Sequence, residues 1–91
     1  MSLNELDLGM MNIYPNPSSG EFNVELSGVN GTSWELTIFD VQGRTILNRK
    51  IGVVTGTHTE KIDISEKEPG VCVIHLTNSN GGVISERIIK E

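Results

Sequence analysis

Cysteine is almost missing from this chain: Cys72 stands alone among 91 residues, so no internal disulfide can form. It lies in the apolar run Val71-Cys72-Val73-Ile74, the setting of a small buried hydrophobe and not of a reactive thiol. Basic residues are also scarce, 7 against 12 acidic ones for a net charge of −5. They are scattered, with Arg49-Lys50 the densest pair, whereas a phosphate backbone or an anionic membrane surface calls for clustered Lys and Arg. Nucleic acid is therefore excluded as a partner. No apolar run approaches the ~18 residues of a membrane span, so no transmembrane segment is expected. The first residues lack the basic start and apolar stretch of a signal peptide. Aromatic side chains number one Trp, one Tyr and two Phe, little material for an exposed sugar-stacking platform.

Helical spacing is the last absence. No segment repeats apolar residues at i, i+3, i+4 over ten positions, and the one polar candidate, Ser65-Glu66-Lys67-Glu68, stops at Pro69. What is present is dense punctuation. Nine of the ten glycines and all three prolines fall in clusters at residues 15–20, 27–33, 40–43, 52–56, 65–70 and 78–82, each a turn signal. Between them apolar residues alternate. Phe22, Val24 and Leu26 share a face, as do Trp34, Leu36 and Ile38, then Ile62 and Ile64, then Cys72, Ile74 and Leu76, while Ile84 and Ile88 share one with Glu86. Thr45-Ile46-Leu47 is apolar on both sides and has no clear facing. Half-polar strands at this spacing predict an all-β fold, an Ig-like antiparallel β-sandwich of about seven short strands with no substantial helix. Residues 40–43 and 78–82 read as hairpin turns, with Gly43 in the left-handed bulge position of the first.

A chain of this length makes one domain, below the usual ~100–150 residues, and leaves little room for a catalytic cleft. The catalytic templates fail on geometry. A Cys72–His75 dyad would straddle the strand, because residues three apart point to opposite faces. His58 and His75 stand on different strands with no third ligand nearby, so no metal site and no cofactor are expected. There is no glycine-rich strand-to-helix turn to cradle a phosphate. The residues alone point to a non-catalytic module.

Three stretches carry a family resemblance. They are Ile13-Tyr14-Pro15-Asn16-Pro17-Ser18-Ser19-Gly20-Glu21-Phe22, then Leu36-Thr37-Ile38-Phe39-Asp40-Val41-Gln42-Gly43-Arg44, then Ile62-Asp63-Ile64-Ser65 with Pro69-Gly70-Val71-Cys72-Val73-Ile74 and the closing Glu86-Arg87-Ile88-Ile89-Lys90. In this order they resemble the C-terminal sorting domain of the bacterial type IX secretion system (type A). The resemblance covers residues 12–91, with residues 1–11 left as a flexible leader or linker. Residues 1–3 have the character of cloning residues and stay out of the fold reasoning. At Cys72 the family usually carries a tyrosine.

The resemblance implies a secretion signal from Bacteroidetes, riding on a larger upstream cargo domain, and no enzyme activity. The cargo would pass the periplasm, meet the type IX translocon at the outer membrane, and end secreted or at the cell surface. A sortase-like protease would remove the domain, cutting in or before Gly9-Met10-Met11-Asn12, and anchor the cargo. The residues implied are Tyr14, Pro15, Asn16, Pro17 and Gly20 at the entry, Asp40, Gly43 and Arg44 at the hairpin, and Gly70 and Lys90 near the end. Arg44 and Lys90 are the cations expected to meet an acidic receptor. Pro15 and Pro17, which fix φ and remove two backbone donors, predict a stiff extended lead into the first core strand. A rival reading is an accessory β-sandwich for carbohydrate or protein binding, which needs an exposed aromatic platform or an apolar patch beyond ~400 Å².

Overall fold

A computed structural model describes residues 10–91. Of the leader expected over residues 1–11, residues 1–9 lie outside the described residues. Met10 and Met11, expected to lack regular structure, instead open strand β1 (Met10–Tyr14). Four more strands follow: β2 (Glu21–Asp40), β3 (Thr45–Asp63), β4 (Gly70–Asn78) and β5 (Val83–Lys90). Every strand pairing is antiparallel, and there is no helix among the described residues.

The sheet is organised around β2. One of its edges carries β3 from end to end. Its other edge carries β1 in the first half and β4 in the second, and β5 adds outside β4.

The strand count corrects the expectation of about seven short strands. Among the described residues there are five, because β2 and β3 run for 20 and 19 residues straight through the clusters at 27–33 and 52–56 that read as turns. The ladder survives by slipping. Register shifts fall between Leu26 and Val29, Asn30 and Thr32, Trp34 and Glu35, and Ile38 and Phe39. Extra residues of this kind bend a strand and add twist without ending it. The fourth shift also settles the ambiguous facing at 45–47. Phe39 pairs with Thr45 and Ile38 with Leu47, so Ile46 is the extra residue, and both Ile46 and Leu47 rest half-buried against the core.

Because the long strands bend, the row Phe22, Val24, Leu26 and the row Trp34, Leu36, Ile38 join one buried cluster with Ile62, Ile64, Cys72, Ile74, Leu76 and Ile88. The inward faces are those the alternation selects. Each such side chain contributes about 1.5–3 kcal/mol on burial. A polar brace spans the two halves of β3. Arg49 Nη1 donates to Glu60 Oε2 at 2.8 Å and to the Lys61 carbonyl at 2.9 Å, and His58 Nε2 lies 2.8 Å from Glu60 Oε1. Burial pushes the Glu60 carboxyl up, but the His58 and Arg49 hydrogen bonds outweigh it and hold the group below its ordinary range.

Candidate functional site

The three motif stretches lie far apart in the chain, and the fold gathers them at one end of the sheet. Hydrogen-bonded neighbours trace the connection. Asp40 is the register partner of Cys72, Cys72 of Ile88, and Gly70 of Lys90, while Ser18 forms a parallel bridge with Lys90. The entry loop, the first hairpin, the Pro69-Gly70 approach and the end of β5 therefore share a pole.

The entry loop grips β5. Asn16 Oδ1 accepts from the Ile89 N–H at 3.0 Å, and Asn16 Nδ2 donates to the Arg87 carbonyl at 3.4 Å. Ser18 donates its N–H to the Ile89 carbonyl at 3.0 Å and accepts from the Glu91 N–H at 2.8 Å. Its hydroxyl oxygen accepts from the Gly20 N–H at 3.1 Å, and the Ser18 side chain is buried. The extended lead expected of Pro15 and Pro17 is corrected here: residues 15–17 bend, and both the Tyr14-Pro15 and Asn16-Pro17 bonds are cis. Tyr14 closes β1 and is 40% exposed.

Gly20 makes the crossing possible. Its φ is +122° and a Cβ there would stand 2.5 Å from Ser65 Cα and 2.7 Å from Ser65 N, closer than any side chain tolerates. Its carbonyl accepts from Ile64 N at 2.8 Å, which ties the entry loop to the end of β3. The following turn is held by Asp63, whose Oδ1 accepts from the Ser65 N–H at 2.9 Å and from the Ser65 hydroxyl at 2.6 Å.

At the hairpin, Asp40 Oδ1 accepts from the N–H groups of Gln42 and Arg44, each at 2.9 Å, and Oδ2 accepts from Arg44 Nε at 2.7 Å. Gly43, at φ +84°, donates its N–H to the Asp40 carbonyl at 3.0 Å. The Arg44 N–H, against a partial push from burial, and then the Arg44 guanidinium hold the Asp40 carboxyl below its ordinary range. The Arg44 side chain stays 72% exposed, with its terminal nitrogens turned to none of these bonds. A groove of about 500 Å³ separates this hairpin from the loop into β4, with Asp40, Arg44, Lys67, Pro69 and Gly70 on its walls and Cys72 at its base. Cys72 is buried, and burial, followed by the nearby Asp40 charge, pushes its thiol up.

Of the two expected cations, then, Arg44 is at the surface and Lys90 is 6% exposed, its Nζ 3.5 Å from the Glu91 carbonyl. Ser18, Ser65 and the backbone of Arg87 and Ile89 complete the site and escaped the sequence reading. Ser18 lay inside the entry motif, but nothing local marks a bond to a strand about seventy residues on.

Among the described residues the pole brings no nucleophile and base together. Cys72 faces the core, whereas His75 lies on the opposite face, 3.0 Å from the Ser85 hydroxyl and edge-on to Phe39. Among the described residues no cluster of His, Cys, Asp and Glu is placed to hold a metal ion. Trp34 and Phe22 are core residues, which leaves Tyr14 and Phe39 as the aromatics with surface. Among the described residues no helix is long and apolar enough to cross a membrane.

A search among curated proteins gave no match. The family model described as the secretion system C-terminal sorting domain matches residues 12–91, the span that includes all three motif stretches and every strand after the first residues of β1. The chain belongs to the family of type IX secretion system C-terminal sorting domains, whose members are sorting signals for export.

Proposed function

We propose that the pole built from residues 14–20, 40–44, 69–70 and 87–91 is the face this sorting signal presents to the type IX translocon at the outer membrane. The observation that carries the reading is convergence. Tyr14, Pro15, Asn16, Pro17, Gly20, Asp40, Gly43, Arg44, Gly70 and Lys90 are dispersed in sequence and drawn to one end of the sheet by strand pairing and hydrogen bonds. A surface already held in place loses little conformational entropy when a carrier docks on it.

In this reading Arg44 is the cation offered to an acidic receptor, because its guanidinium is exposed while one edge is fixed by Asp40. Lys90 acts through its place in β5 beside Gly70 and Ser18. The bent sheet, closed over one apolar cluster, serves as an Ig-like sandwich that keeps the pole rigid. The upstream cargo is carried through the periplasm and across the outer membrane to the surface or the medium. A sortase-like protease then cuts ahead of the domain and anchors the cargo, so the domain is a substrate and a ligand with no catalysis of its own.

The test is a periplasmic reporter fused ahead of residues 1–91 in a host with this secretion system. The reporter should reach the surface or medium, and mass spectrometry should find it trimmed ahead of residue 12. A reporter that stays in the periplasm overturns the reading.

A further inference from the structure

The entry loop meets β5 in an unusual way. Among the described strands β5 is an outer one, so the backbone groups on its free side have no described strand beside them. At Arg87 and Ile89 those groups are met by a side chain. The Asn16 carboxamide accepts from the Ile89 N–H and donates to the Arg87 carbonyl, the two bonds that one residue of an added parallel strand would make with its own C=O and N–H. The flanking residues explain why a side chain is used. Residues 15–17 bend, so the Asn16 backbone does not run on as a paired strand and its side chain takes the place. One step further, Ser18 continues the contact with its own backbone, to the Ile89 carbonyl and the Glu91 N–H.

We infer that Asn16 is a positioning residue for sorting: by imitating a strand residue on the edge of β5 it fastens the entry motif to residues 87–91, and the recognised surface exists only while that clamp is closed. The inference rests on the motif pole being the docking face. It adds that Asn16 acts through the strand it holds, and that neither the entry motif nor the end of β5 is a signal separately. A chain in which β5 has not docked would show a translocon an incomplete pole, so the clamp also reports that the fold is finished.

The test combines amide hydrogen exchange with export of a reporter fused to the full chain, in wild type, Asn16→Ala and Asn16→Asp. With Asn16→Ala, exchange at Ile89 should quicken by about three- to tenfold, the net worth of one hydrogen bond. Exchange at Ile74 and Leu76 in the core should not change, and surface reporter should fall. Asn16→Asp keeps the acceptor for Ile89 and loses the donor to Arg87, so Ile89 should stay protected and export should be intermediate. Three results overturn the inference: unchanged exchange at Ile89 in Asn16→Ala, an equal rise in exchange throughout the core, or an opened clamp with undiminished export. A wild-type reporter retained in the periplasm sinks the docking-face reading itself, and is recognisable because it needs no variant.

Discussion

At one pole the hairpin of residues 40–44 turns on Asp40; at the other, the hairpin of residues 78–82 turns on Asn78, and the two loops repeat each other's hydrogen bonds. Asn78 Oδ1 accepts from the N–H groups of Asn80 at 2.9 Å and Gly82 at 2.7 Å, as Asp40 does from Gln42 and Arg44. Gly81 donates to the Asn78 carbonyl at 3.1 Å with φ +85°, as Gly43 does to Asp40. A short side chain with an oxygen three bonds from Cα, and a glycine three residues on, suffice for this turn whether or not the first residue is charged. The charge of Asp40 is therefore surplus to the turn. What it does in addition is hold Arg44 by Nε, and the other hairpin has Gly82 at that position. The surroundings differ as well. Gly52, Gly56 and Gly81 at the far pole are open, as are Gly43 and Gly70 at the motif pole, whereas Gly20 is pressed against the Ser65 backbone.

Gly20→Ala should produce the largest effect, because a methyl would meet backbone atoms of Ser65 and φ would be unfavourable. A loss of about 3 kcal/mol or more is expected from steric overlap and strain together, read as a shifted urea midpoint. Gly81→Ala, with nothing within 4 Å of the added Cβ, should lose only about 1 kcal/mol. Equal losses would erase the contrast between the packed Gly20 and the open Gly81.

Asn78→Ala removes the acceptor for two N–H groups and should lower stability by about 1–2 kcal/mol while leaving export of a fused reporter unchanged. Reduced export at an unchanged midpoint would mean that the far pole is also read.

Cys72→Ala should lose about 1 kcal/mol, the burial of one small apolar group. The wild-type thiol should react with a thiol reagent only as the chain unfolds, since Cys72 is 3% exposed and its thiol is pushed up. Rapid labelling of the folded protein would contradict the packing beneath the groove.

The smallest effect is the most specific. Asp40 is depressed below its ordinary value of 3.8, so its contribution to stability is present above that pH and is lost as pH falls through the lower value of the folded state. Asn78 does not titrate. Asp40→Asn should therefore narrow its stability gap to wild type below about pH 3.8, in chemical denaturation at several pH values. Glu60 and Asp63 are depressed too and lose their contributions in both proteins. A gap that does not change with pH would remove Asp40 from the account.

Much of this was legible from the residues. Alternation placed Phe22, Val24, Leu26, Trp34, Leu36, Ile38, Ile62, Ile64, Cys72, Ile74 and Leu76 inward, because a one-residue error would send each row to solvent. Both hairpins were legible because their signals lie within five residues. The continuity of β2 and β3 was not, since glycine clusters at 27–33 and 52–56 carry the same composition whether a chain turns or bulges. Only tertiary pairing decides between the two. The Asn16 clamp was invisible for a different reason. Its partners are 71 and 73 residues away, and a hydrogen bond to backbone leaves no side-chain signature in the partner strand. Lys90, a charged residue at the end of an amphipathic strand, reads as exposed, and it is buried because Ser18 and the entry loop lie beside it.

If one pole is read and the other is not, two exposed side chains test it most directly. Arg44 at the motif pole has a side chain 72% exposed, and Val53, paired with Ser33 near the far hairpin, is 70% exposed. Surface display of a reporter fused to the full chain should fall sharply with Arg44→Ala and match wild type with Val53→Ser, the denaturation midpoints of both staying close to wild type. Equal display from the two variants, or a loss confined to Val53→Ser, would contradict it.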